Sequence, residues 1–277
     1  MRRRRTIASP VAFEGVGVHS GQKSSVMVMP LFSGSGICFR FGPDVFPITD
    51  ARPGGAARST SIVFPGGQTL GTVEHLLGAL SGLCVDDALI EARAGDEFPI
   101  LDGSALPYAS ALLGAGIVEK DEAADRAALA SPLFIGQGQS SIAAAPSDAL
   151  RVTYVIDYPG TAIGTVLKDV AITPESFASD VAPARTFALL SEVESLKVSG
   201  LARGGDLANA LVFGEDGPVG GAPFRMDGEC AAHKILDLLG DLALAGSLPV
   251  AHYICIRGGH WLHQKLAVRM RALSRKK

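Results

Sequence analysis

The chain has 277 residues, enough for two domains of ordinary size, and 47% are hydrophobic against 19% charged, which excludes a disordered chain. Its formal net charge of −3 argues against bulk nucleic-acid binding. No apolar run approaches a membrane span, and the four cysteines, Cys38, Cys84, Cys230 and Cys255, form no CxxC pair, the usage expected of a reduced, cytoplasmic protein.

The chain opens on MRRRR, but Ser9, Pro10 and Glu14 interrupt any apolar region after it, so no signal peptide is expected. Arg2 to Arg5 and the stretch from Arg269 to Lys277 read as solvated basic tails, with contact to anionic lipid or phosphate as the secondary reading. Residues 6–13 and 24–30 read as strands around the turn GVGVHSGQ. Its glycines, Gly15, Gly17 and Gly21, permit a close backbone approach and leave His19 either facing a ligand or capping a turn. Further strands are expected at 36–41 and 60–64.

The stretch TVEHLLGALSGL, from Thr72, has Leu76, Leu77, Leu80 and Leu83 at helical spacing. Glu74 and His75 sit side by side near its start. The pattern is neither HExxH nor HxxEH, and a partly exposed first turn is the plain alternative. A strand at 88–92 follows, then a helix from Ala105 to Leu113 with Ser104 as cap and Pro107 in its first turn.

Residues 119–128, EKDEAADRAA, are charged and core-poor. They are expected to join two domains, 1–120 and 131–277, through a linker at 121–130. Strands are then expected near 132–135, 140–144, 150–156 and 163–171, short helices near 174–179 and 188–198, and a strand at 210–213 inside a glycine-rich stretch.

The helix His233 to Gly246 reads HKILDLLGDLALAG. His233, Asp237 and Asp241 recur every four residues, so they lie in one row on one face. A helix this apolar all round is normally buried, and a buried imidazole or carboxylate is costly unless it pairs or binds a metal. A core salt bridge is the plain reading of an isolated H-x3-D; three polar residues in one row favour a metal site. Moreover, the run from His75 to Leu80 matches the run from Asp237 to Leu242. If the two helices are equivalents in a duplicated fold, Gly78 and Gly240 allow close contact and His75 faces Asp237. With His233 that makes the three-ligand count of a catalytic zinc site. The strand HYICI and a helix near 261–273 close the chain.

Taken together, TVEHLLGALSGL, FPILDGSA, ARTF, HKILDLLGDL and RGGHWLHQKL, with GVGVHSG near the start, resemble the UDP-3-O-acyl-N-acetylglucosamine deacetylases, the zinc amidases of lipid A biosynthesis. The resemblance runs from about residue 5 to residue 270. It implies an α+β fold of two similar domains, each a β-sheet packed on helices, with the helix layers facing each other across the active site. It also implies Zn2+ held by His75, His233 and Asp237, with Glu74 as general base. His260, held by Asp241, would be the protonated partner; Thr186 would bond the oxyanion, and Lys234 would lie near the substrate phosphates or carbonyl. Tyr158 would stack on uracil. An insert at about 187–223 would form the acyl-chain passage, with Phe187, Val193, Ala202 and Gly205 at its walls; His19 joins the substrate-binding set.

These residue types suit amide hydrolysis. Zinc activates water at neutral pH, a carboxylate beside it takes the proton, and a nearby carboxylate keeps an imidazolium charged at pH 7. The chain departs from the family pattern at Ala232, at Asp87 where Asn is usual, at Arg203 and Asp206 in the insert, and at Arg257–Gly258 where Lys–Ser is usual. Arg257 is expected at the diphosphate, since guanidinium suits phosphate geometry. His252 and His263 receive no role. The expected partner is a UDP-linked acylated amino sugar, with no nucleic acid, at most peripheral membrane contact, and a monomeric state. Two other readings are a divergent zinc amidase on another N-acyl sugar nucleotide and a non-catalytic nucleotide-sugar binding protein.

Overall fold

The computed structural model describes residues 2–56, 58–124 and 129–274. The described helices are α1 (Glu74–Gly82), α2 (Leu106–Gly114), α3 (Pro174–Asp180), α4 (Leu190–Val198), α5 (Glu229–Leu242) and α6 (His260–Ser274). Strands and helices mix in an α+β fold built on two five-stranded sheets.

Those two sheets repeat one plan. In the first, the order across the sheet is Val11–Val16, Lys23–Pro30, Ala88–Ala94, Ile37–Phe41, Asp44–Pro47. In the second it is Leu133–Gln137, Ser140–Pro146, Ala251–Ile256, Arg151–Tyr158, Gly164–Ala171. Each time the strand that comes last in sequence inserts at the centre, antiparallel to the second strand and parallel to the third. A parallel neighbour demands a long crossover, and each crossover carries one of the two polar-bearing helices: α1 in the first half, α5 in the second. The duplication hinted at by six residues of helix therefore extends to the whole topology. Even burial repeats, since Lys23–Pro30 and Arg151–Tyr158 show the same alternation of buried and half-exposed positions, as sheets covered on one face do.

The helices meet between the sheets. Leu76, Leu77 and Leu80 of α1 and Leu236 and Leu239 of α5 are buried, each contributing about 1.5–3 kcal/mol relative to exposure. Gly78 and Gly240 have no side chain where the two helices cross. A Cβ on Gly78 would stand 2.5 Å from Leu236 Cδ1 and 3.0 Å from Leu236 O, and a Cβ on Gly240 would overlap the Glu74 carbonyl.

Several expectations need correction. Arg2 to Arg5 are not a solvated tail: Arg3–Ile7 is a strand paired antiparallel with Ile117–Ala123. Arg2 meets Asp86 at 2.6 Å, Arg5 meets Glu119 at 3.0 Å, and Arg4 Nε bonds Asp87 at 2.8 Å. Lys120 Nζ reaches the same buried Asp87 at 3.0 Å, so this one carboxylate carries two cations and accepts the Gly36 N–H. Residues 119–123, read as the start of a linker, thus lie in this strand; of the remainder, 125–128 fall outside the described residues. The strand expected at 6–13 is two strands broken at Ala8–Pro10, and Ile62–Val63 belongs to a small three-stranded sheet. Phe187–Leu189 is a short strand parallel to Leu211–Phe213, which delays α4 to Leu190. The central helix starts a turn early, at Glu229, and its α-helical part ends at Leu242. Among the described residues no helix is long and apolar enough to cross a membrane.

Candidate functional site

At the α1–α5 crossing, His75 Nε2 lies 3.9 Å and His233 Nε2 3.3 Å from Asp237 Oδ1. The ligand-type atoms of these three buried residues all fall within 4.8 Å of one another. His233 Nδ1 sits 3.0 Å from the Ala184 carbonyl, which accepts its proton and leaves Nε2 as a bare acceptor. Asp237 Oδ1 and His75 Nδ1 are buried with no hydrogen-bond partner. A buried carboxylate oxygen left unpaired is costly, and a cation among the three residues would satisfy it.

The charges agree with that reading. Burial and the neighbouring His233 push His75 down to about 3, and burial likewise lowers His233. Burial alone would raise Asp237, but Lys234, His233 and His260 hold it well below the usual carboxylate range. Two neutral imidazoles and one carboxylate form a donor set suited to zinc. Lys234 Nζ bonds the other carboxylate oxygen of Asp237 at 2.8 Å.

Two groups flank this centre. Glu74, at the start of α1, accepts the Thr60 N–H on Oε2 at 3.0 Å, and burial raises its carboxyl to about 8. His260, the first residue of α6, places Nε2 3.9 Å from Glu74 Oε1 and 3.8 Å from Asp237 Oδ2. Its Nδ1 is 2.9 Å from Asp241 Oδ2. Burial would lower His260, but Asp241 and Asp237 overcome it and bring it to about 9.

His263, given no role above, is fully buried and takes part in this arrangement. Its Nδ1 shares Asp241 Oδ2 at 2.8 Å while its Nε2 meets the Tyr154 hydroxyl at 3.0 Å. Thr60 is a residue that sequence reasoning missed. Its hydroxyl donates to Asp241 Oδ1, accepts from Gln264 Nε2 at 2.8 Å, and lies 3.3 Å from His260 Nδ1. With its backbone N–H on Glu74 and its hydroxyl beside His260 Nδ1, one loop residue touches both flanking groups, and neither period nor motif marked it. His252 stands apart on the second sheet, bonded to Thr153 at 2.8 Å.

The centre opens into a cavity of about 730 Å³. Thr186 lines it, fixed through its backbone to Gly103 and Leu211. Phe187, Val193, Ala202 and Gly205 line it as well, and Leu196 and Leu207 make that branch strongly apolar. His19 faces the cavity while its turn is held by Glu97, which accepts the N–H groups of His19 and Ser20 at 2.9 and 2.8 Å. Arg58, a second residue missed, spans from its loop to α4 through Glu192 at 2.8 Å and adopts a positive φ of 70°.

A smaller neighbouring pocket of about 390 Å³ is lined by Ser140, Asp157, Tyr158, Thr161, Lys234 and Arg257, among others. Tyr158 and Lys234 border both spaces. Arg257 reaches Asp157 Oδ2 at 2.7 Å, so its guanidinium is drawn along the pocket wall by a carboxylate.

A family model described as UDP-3-O-acyl N-acetylglycosamine deacetylase matches residues 4–272. Curated proteins named UDP-3-O-acyl-N-acetylglucosamine deacetylase are similar over nearly the whole chain. The one from Nostoc sp. is 41% identical, covering 97% of this chain and 98% of its own. That from Thermosynechococcus vestitus is 39% identical, covering 95% and 92%. That from Chlamydia trachomatis serovar D is 37% identical, covering 94% and 91%.

Proposed function

The chain belongs to the UDP-3-O-acyl N-acetylglycosamine deacetylase family, and from that premise we propose that it removes acetate from UDP-3-O-acyl-N-acetylglucosamine at a zinc centre formed by His75, His233 and Asp237. It is a deacetylase of lipid A biosynthesis; the metal and the residue roles are our reading. The observation that carries it is the unpartnered Asp237 Oδ1 between two imidazoles, with Glu74 and His260 within 4 Å of His75's partner carboxylate or of each other. When bound, zinc supplies Lewis acidity: it lowers the pKa of a water, polarises the acetamide carbonyl and favours the ionised form of Glu74.

The protein residues move the protons. Glu74 takes the proton of the attacking water as the new C–O bond forms. His260, kept protonated by Asp241, gives its proton to the sugar nitrogen as the C–N bond breaks, so that amine and acetate leave. Asp241 is itself held by Thr60 and His263, which fixes the imidazole's direction. Thr186 offers a hydrogen bond to the oxyanion. The apolar branch at Phe187, Val193, Ala202 and Gly205 takes the acyl chain. Lys234 and Arg257 take the diphosphate, with Tyr158 against the base. In this reading the centre lies between an N-terminal unit ending near residue 120 and a C-terminal unit beginning near residue 131.

The test is deacetylation of UDP-3-O-acyl-N-acetylglucosamine by the purified chain, before and after a chelator and after zinc is returned. Turnover that a chelator abolishes and zinc restores is expected. Turnover indifferent to a chelator, with no metal retained, would refute the zinc centre.

A further inference from the structure

The exposed face of α6 plays no part in the chemistry above. Its exposed positions are Trp261, Lys265, Val268, Arg269, Ala272 and Leu273, while Leu262, Leu266, Ala267 and Met270 are buried. Steps of three and four residues place the exposed set in one stripe down the helix. The apolar members are well exposed: Trp261 at 41%, Val268 at 38% and Leu273 at 44%. Lys265 Nζ lies 4.9 Å over the Trp261 ring. Arg269 reaches the carbonyl of Phe134 at 3.3 Å, on an edge strand where Phe134 is itself 64% exposed.

Charge along this segment is one-sided. From His260 onward the sequence carries Lys265, Arg269, Arg271, Arg275, Lys276 and Lys277 and no aspartate or glutamate, in a chain whose net charge is −3. Arg271 is turned inward to the carbonyls of Thr49 and Ala51; Lys265 and Arg269 lie on the exposed stripe. Aliphatic side chains alternating with cations, with a tryptophan at one end, have the chemistry of a helix lying at a bilayer surface. The stripe is also placed where such contact has a use. Trp261 lines the catalytic cavity, and the stripe runs about 18 Å from it along the helix.

We propose that the exposed stripe of α6 docks this protein on anionic lipid bilayers, with the cavity mouth at the Trp261 end beside the membrane surface. Charge complementarity selects the occupant: the cations match anionic headgroups, while Val268 and Leu273 gain from the acyl boundary. A nucleic acid would use the cations and leave those aliphatics unmatched. Docking does not depend on the deacetylase reading, although a substrate with an acyl chain would gain from it.

Trp261 is the only tryptophan of the chain, so its emission reports docking directly. The full chain is titrated with phosphatidylglycerol-containing vesicles and with pure phosphatidylcholine vesicles, alongside flotation assays. A blue shift and flotation are expected with the first and not with the second, fading at about 0.5 M salt as the charges are screened. Each cation near such a surface is worth about fivefold in partition, so Lys265→Glu with Arg269→Glu should weaken binding at least about 30-fold. Val268→Asp with Leu273→Asp should also weaken it. All four positions lie outside the catalytic and binding machinery, so turnover of a short-chain, water-soluble substrate should stay at the parent level. Equal binding to neutral vesicles, no binding by the parent, or charge-reversed protein that binds as tightly as the parent would overturn the proposal. Tighter association with polyglutamate than with the anionic vesicles would also overturn it, in favour of an acidic protein partner.

Discussion

Gly240 of α5 lies against the backbone carbonyl of Glu74 in α1, so closely that a Cβ on Gly240 would overlap both the Glu74 carbonyl and its Cα. Backbone meets backbone here, and that approach puts His75 within 3.9 Å of Asp237. Gly240→Ala should lower stability by about 1–3 kcal/mol, the usual cost of overpacking a close contact, read as a reduced urea midpoint. It should also weaken metal retention, because the helices must separate. A Gly240→Ala protein with the parent's midpoint would mean that the helices have room to spare.

Purified protein should contain one zinc per chain, and His233→Ala should lose it on dialysis. The measurement is elemental analysis beside a circular dichroism check of fold. A full zinc complement in His233→Ala would remove His233 from the ligand set.

Glu74→Ala should fold and keep zinc but lose roughly 100- to 10,000-fold in turnover, the range for removal of a general base. Turnover near the parent value would rule out Glu74 as the base.

The pH profile of kcat/KM should be bell-shaped, with its basic limb set by His260. In the proposed mechanism His260 acts as the imidazolium, so activity should fall as pH rises through the His260 pKa of about 9. Asp241 is the largest favourable influence on that charge. Asp241→Asn keeps the shape and removes the charge, so the His260 pKa drops and the basic limb shifts to lower pH, with a lower maximum. Bound zinc is common to both proteins and leaves the direction of the shift unchanged. A limb that stays in place would make Asp241 a structural residue only.

Lys234→Ala and Arg257→Ala should each weaken UDP binding in calorimetry, with Tyr158→Ala acting through the base. Each loss should be partial, because both cations already hold a carboxylate, Lys234 that of Asp237 and Arg257 that of Asp157, and must share their charge with it. Unchanged UDP affinity in both the Lys234 and the Arg257 variants would place the nucleotide elsewhere.

Helical period made much of the centre legible. Four-residue steps from His233 to Asp241 and the matching run after His75 were enough to bring three ligand-type residues together, and the glycines in both runs marked the crossing. What period cannot carry is pairing between distant segments. The Thr60 hydroxyl bonds Asp241 and Gln264, far along the chain, from a loop with no repeating pattern. Residues 119–128 read as a linker for their charge, yet 119–123 lie in the strand Ile117–Ala123. Those same charges, Glu119 and Lys120, meet Arg5 and the Asp87 that also holds Arg4, so a run of unpaired charge on paper is a neutralised pair of strands in the fold. His263 passed as an ordinary histidine because its worth depends on Asp241, whose position only the tertiary structure supplies.

Because the three ligand-type residues are divided between α1 and α5, an ion held by them is also a clasp between the two halves of the molecule. Any breathing motion that slides one helix past the other must release a ligand, so docking of the halves and occupancy of the centre form a single linked equilibrium. Stripping the metal should therefore speed hydrogen exchange along the α1–α5 seam in preference to the outer strands. The rate at which metal escapes should in turn measure how often the seam opens.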